Sequence, residues 1–134
     1  ATAFGAYAFF WFGVALSWMV KMGIFGDILG AQADSKQLGF AFVGYLIFTL
    51  FMTIGAIETN KVLLAIFILI DVLFLGLIGD IFSWFKGAHT LAAYAELGIA
   101  LLSFYGSGAI VLNHHFGKTF LPIGKPLGVF KIPK

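Results

Sequence analysis

Residues 61–79 read KVLLAIFILIDVLFLGLIG, a run in which Asp71 is the one charged side chain after Lys61. An α-helix rises about 1.5 Å per residue, so about 20 residues cross the roughly 30 Å hydrocarbon core of a bilayer. The run has that length and reads as a transmembrane helix. The rest of the chain agrees: of 134 residues 61% are hydrophobic and 10% charged, and the mean hydropathy is +1.04. Those values lie far from the averages of a water-soluble domain.

Outward from this run, three more apolar stretches of similar length occupy residues 2–22, 38–57 and 90–113. The expected fold class is therefore all-α, a polytopic membrane bundle with four spans in one membrane domain, residues 1–134, and a tail from residue 114 to residue 134. The connection ETN at residues 58–60 is so short that the helices it joins must form an antiparallel hairpin. The first connection, GIFGDILGAQADSKQ, collects glycine, aspartate, serine and lysine and reads as a loop. The third, DIFSWFKGAH, places Trp84 and Phe85 where the aromatic belt of a bilayer lies.

Charge narrows the classes further. The chain has no cysteine and a net charge of +2 spread along its length, which offers no disulfide framework, no thiolate metal site and no nucleic-acid footprint. It opens ATAFGAYAFFWFGVALSWMVKM, with neither an initiator methionine nor a basic leader, and reads as a mature form or a fragment. Lys61, Lys118, Lys125, Lys131 and Lys134 share one side of the expected topology, against Lys21, Lys36 and Lys86 on the other. Because positive residues collect in cytoplasmic loops, the tail is expected to face the cytoplasm of a cell membrane.

Two carboxylates interrupt the spans. A charged acid at the centre of a lipid-facing helix costs about 2.5–3.5 kcal/mol, so Asp71 and Glu96 must face protein or water. The two helices run in opposite directions from a shared connection, and the rise per residue puts both acids at similar depth. One reading is a proton relay; the other is a buried pair that only packs. Two anions so placed would repel and lose hydration, so the pair is expected to be neutral or to share one proton. Glu96 belongs to a stripe of small or polar residues, Ala92, Glu96, Ala100, Ser103 and Ser107, expected to face into the bundle either for close helix packing or as a polar pathway. The first span carries a similar small-residue set, Ala6, Gly13 and Ser17, beside Phe4, Tyr7, Phe10, Trp11 and Trp18.

Other chemistries find no support. His114 and His115 are adjacent at the end of a span, and no histidine pair lies within the spans to hold a haem or a metal. No phosphate-binding glycine loop and no nucleophile motif occur. The expectation is a protein that is not an enzyme and carries neither cofactor nor metal.

The tail bears a more specific signal. FGKTFLPIG at residues 116–124, after a span that ends in VLN, resembles the C-terminal signature of the acetate uptake transporter family, the bacterial succinate–acetate permeases and their fungal relatives. TAFGAYAFFW at residues 2–11 is similar to that family's Thr-Ala-Phe-x-x-Tyr-x-x-Phe-Trp opening of helix three, and FTLFMTIGAI at residues 48–57 resembles its helix four. The chain thus resembles helices three to six of a six-helix protomer. The family's first two helices and its Asn-Pro-Ala-Pro-Leu-Gly motif have no counterpart in it.

The resemblance implies a hexameric ring, each protomer with its own path for acetate and, in some members, succinate. The constriction tyrosine of the family falls on Tyr7 and its constriction leucine on Ile70. Ser103 stands where a family alanine is linked to selectivity, and Phe120, Leu121, Pro122, Ile123 and Gly124 form the tail motif. An apolar constriction with one phenol suits a short carboxylate and opposes hydrated ions. Pro122 cannot continue a helix and Gly124 permits a turn that other residues resist, so the tail is expected to fold back under the bundle. Asp71 and Glu96 depart from the uncharged positions of the family, which favours proton-linked uptake over plain anion-channel behaviour and leaves both open. The rival from another class is a non-transporting accessory subunit of a membrane complex.

Overall fold

The computed structural model describes residues 2–130. The side chains of Thr2 and Ala3, which open the resembling motif, and the tail lysines Lys131 and Lys134 lie outside the described residues. Five helices follow in order: α1 Thr2–Lys21, α2 Asp27–Gln32, α3 Ser35–Ala56, α4 Lys61–Ile81 and α5 Ala88–Phe116. Four of them, α1, α3, α4 and α5, are long and apolar enough to cross a membrane. The chain divides into two compact units, Ala1–Ala41 and Phe42–Lys134, and the division falls inside the continuous helix α3.

The first unit holds α1, α2 and the start of α3. Gly23 and Gly26 take positive φ, 76° and 108°, and turn the chain after Lys21 so that α2 lies back on the end of α1. Contact there is close: a Cβ on Gly30 would lie 3.1 Å from the Val20 carbonyl oxygen. The connection expected to be a loop therefore contains a helix. Its six helical residues form because packing on α1 supplies what so short a segment lacks in intrinsic stability. The Asp34 carboxylate accepts from the Lys36 backbone N–H at 2.9 Å, and the Lys21 ammonium donates to the Ser35 hydroxyl at 2.9 Å. This polar start lets α3 begin at Ser35, three residues ahead of the expected Leu38.

The second unit is built on an antiparallel pair. The buried residues of α5 are Ala88, Ala92, Ala95 and Ala109, a seam whose first steps are four and three. Small side chains let α4 come very near: a Cβ on Gly76 would lie 2.8 Å from the Ala92 backbone nitrogen and 3.0 Å from the Ala88 carbonyl oxygen. Leu69 covers Gly98, and Val62 with Ile66 covers Gly106. The rest of α3 joins this pair through Phe74, whose ring stacks on Tyr45 at 6.1 Å and leans on Phe42 at 6.4 Å. Phe74, Ile78 and Thr49 are the largest fully buried side chains.

The seam differs from the stripe expected on α5. Ala92 is in it, but Glu96, Ala100 and Ser107 are exposed, and Ser103 is half-buried. An alanine face approaches a glycine-bearing helix more closely than a face carrying glutamate and serine, and α4 takes the alanines. The spans agree with expectation to within a few residues, α4 running to Ile81 and α5 from Ala88 to Phe116, which brings His114 and His115 into its last turn.

Candidate functional site

Three contacts fix the register of α4 against α5: Gly76 with Ala92, Leu69 with Gly98, and Ile66 with Gly106. Antiparallel interpolation between the first two sets Asp71 level with Glu96 along the helix pair. Their surroundings differ. Glu96 is exposed in this chain, one position and so about 100° round from buried Ala95. Asp71 is half-buried and shares a hydrogen bond with α3: the Thr53 hydroxyl lies 2.7 Å from Asp71 Oδ2. Asp71 Oδ1 is buried without a hydrogen-bond partner.

Thr53 in turn sits in a short ladder along α3. Its hydroxyl is 3.0 Å from the Thr49 carbonyl oxygen, and the Thr49 hydroxyl donates to the Tyr45 carbonyl at 2.8 Å. Neither threonine is among the site residues expected from the sequence. The spacing of four residues in an otherwise apolar helix was the available signal, since hydroxyls in such helices bond back to the carbonyl one turn earlier.

The remaining candidates divide between the units. Tyr7 lies on α1 of the first unit and is half-buried; Ile70 and Ser103, also half-buried, lie on α4 and α5 of the second. The Ser103 carbonyl accepts the Ser107 hydroxyl at 2.6 Å. Among the described residues no cluster of three metal-binding side chains occurs.

The tail motif is held by polar contacts from Asn113 and Tyr105 of α5. The Asn113 side-chain oxygen accepts from the backbone N–H groups of Phe120 and Leu121 at 2.7 and 2.9 Å, while its amide donates to the Leu121 carbonyl at 2.8 Å. The Tyr105 hydroxyl donates to the Pro122 carbonyl at 2.8 Å. The chain then crosses the ETN turn. Val62 N–H donates to the Ile123 carbonyl at 3.2 Å, Leu127 N–H to the Ile57 carbonyl at 3.0 Å, and Phe130 N–H to Glu58 Oε1 at 2.8 Å. The first amides of a helix have no partner within it; Asn60 caps Leu63 N–H of α4 at 2.8 Å, and the tail serves Val62. Gly124 has φ 78°, and a Cβ on it would lie 2.8 Å from the Lys61 side chain, so both conformation and space require glycine.

The fold and this tail bear on kinship. Residues 1–124 match the family described as GPR1/FUN34/yaaH. The chain belongs to the GPR1/FUN34/yaaH family. Over 126 residues it is 36% identical to the succinate-acetate/proton symporter SatP of Escherichia coli K12, an alignment covering 92% of this chain and 64% of that protein. SatP of Shigella flexneri matches to the same extent. A solved structure described as the bacterial acetate channel SatP superposes with a TM-score of 0.73 at 31% identity, over 92% of this chain and 66% of the other. The chain therefore spans somewhat less than two thirds of the length of the curated GPR1/FUN34/yaaH relatives it matches. The resemblance read from the tail and the first and second spans is borne out, as is the all-helical membrane fold with four spans.

Proposed function

We propose that this chain takes part in the passage of acetate and related small carboxylates across a cell membrane. The observation that carries the proposal is the 36% identity to a succinate-acetate/proton symporter along 92% of the chain, a likeness that no single motif could produce. The structural likeness to an acetate channel supports the same substrate. Tyr7 and Ile70 are the constriction in this reading: the phenol hydrogen-bonds the carboxylate, the aliphatic side chain tolerates its methyl, and together they oppose ions that would have to shed water. Ser103 tunes selectivity from α5. The tail faces the cytoplasm and the working unit is a hexamer of identical subunits.

Proton-linked uptake is favoured over passive permeation because two ionisable side chains lie in the spans, where an anion channel has no use for a titrating group. The test is uptake of radiolabelled acetate into proteoliposomes holding the full-length protein. Uptake accelerated by an inward proton gradient is the expected result. Uptake indifferent to the gradient would leave a channel, and no uptake at all would return the chain to an accessory role.

A further inference from the structure

The contacts of Thr53 contain a constraint on hydrogen count. A hydroxyl has one hydrogen to donate. Thr53 Oγ1 lies 3.0 Å from the Thr49 carbonyl oxygen and 2.7 Å from Asp71 Oδ2, both within hydrogen-bond reach. If Thr53 gives its hydrogen to Thr49, the contact with Asp71 needs a second hydrogen. The Thr49 carbonyl has none to offer, and Asp71 is the one group of the three that can gain one.

We infer that Asp71 and Thr53 form a one-proton site joining α4 to α3, in which Asp71 Oδ2 carries the proton and donates it to Thr53 Oγ1, while Thr53 donates to the Thr49 carbonyl. The partnerless Oδ1 fits this arrangement. It is the carbonyl oxygen of a neutral acid, and leaving a neutral acceptor unpaired is far less costly than leaving a carboxylate oxygen so. Along the described residues of these three helices no cation competes: α3 has no charged side chain between Lys36 and Glu58, α4 has none but Asp71 between Lys61 and Asp80, and α5 contributes Glu96, itself exposed, between His89 and His114. Tyr45, Tyr94 and Tyr105 complete the ionisable groups of these stretches, and the Tyr45 ring stacks on Phe74.

The site has two states. When the proton leaves, the Thr53 hydrogen turns to the new carboxylate and the Thr49 carbonyl loses its second donor, so the charge of α4 is registered in the backbone of α3. Thr53 is a positioning residue in this scheme. The inference deepens the proton-linked reading and rests on it only for the claim that this proton moves with substrate; the proton's residence stands apart from transport.

Infrared spectroscopy of the full-length protein in lipid membranes separates the two. A carbonyl stretch of a protonated, hydrogen-bonded carboxylic acid is expected, to be lost in Asp71→Asn, kept in Glu96→Gln, shifted in Thr53→Val and restored in Thr53→Ser. Asp71→Asn retains a donor toward Thr53 and is expected to fold. A band that survives Asp71→Asn overturns the site, and one unmoved by Thr53→Val overturns the role of Thr53. Carboxylate bands that shift when sodium replaces potassium, with no acid carbonyl, would overturn the proton in favour of a bound cation. The acid band with uptake indifferent to a proton gradient would keep the site and sink the coupling, which is the failure of the functional reading alone.

Discussion

One side chain makes three of the hydrogen bonds that hold the tail on the bundle. Asn113 answers two backbone N–H groups and one carbonyl within hydrogen-bond distance, and each such bond contributes about 1 kcal/mol. Asn113→Ala is expected to lower stability by about 2–3 kcal/mol in thermal unfolding of the purified protein, and Asn113→Asp, which keeps the acceptor and loses the donor, by less. Tyr7 invites a different measurement. If it forms the constriction, Tyr7→Ala should raise the ratio of succinate to acetate uptake about tenfold, the low end of what a pocket contact of about 1–3 kcal/mol commands; an unchanged ratio would place its ring away from the path. Asp71 was legible in the sequence because it breaks an apolar run. Its partner was not. Thr53 reaches Asp71 only through the rotation of α4 against α3, which follows from how Phe74 seats on Tyr45 and Phe42, and no spacing within either helix encodes that angle.

Between helices, the decisive quantity is how near two backbones come. Gly76 has no room for even a methyl: its Cβ would meet backbone atoms of α5 at 2.8 and 3.0 Å, and backbone cannot rotate aside. Gly98 is tight as well, but its neighbour is the end of the Leu69 side chain at 3.0 Å, which can turn. Gly76→Ala is therefore expected to cost about 1–3 kcal/mol, the usual range for an overfilled core, and Gly98→Ala clearly less, as read from the midpoints of thermal unfolding. Equal losses would refute the α4–α5 register. That the two helices run in opposite directions was plain from the connection they share, whereas the face of α5 used was not: Ala92, Glu96 and Ala100 share a helical spacing as regular as Ala88, Ala92 and Ala95. Glycine positions on α4 decide between them. The short helix α2 escaped notice for a related reason, since six residues lie below the length at which composition alone signals a helix.

For the molecule as a whole, the exposed side of α5 carries Glu96 and Ser107 beside Ala100. An acid facing lipid would cost about 2.5–3.5 kcal/mol, so this side calls for protein or water against it. In the proposed hexamer a neighbouring subunit would answer that need, and the full-length protein in lipid nanodiscs is expected to give the mass of a hexamer; a monomer in a native-like bilayer would refute it. The strap laid by the tail over the α3–α4 turn has a further consequence, in time rather than space. Glu58 leaves the ribosome 72 residues ahead of Phe130, so at about 5–20 residues per second the turn waits roughly 4–14 s for its partner. Through that interval the Ile57 carbonyl and the Val62 amide have no tail to bond. The turn between α3 and α4, made early, thus sets late, and translation halted just after α5 would leave α1, α3, α4 and α5 made and that corner unfinished.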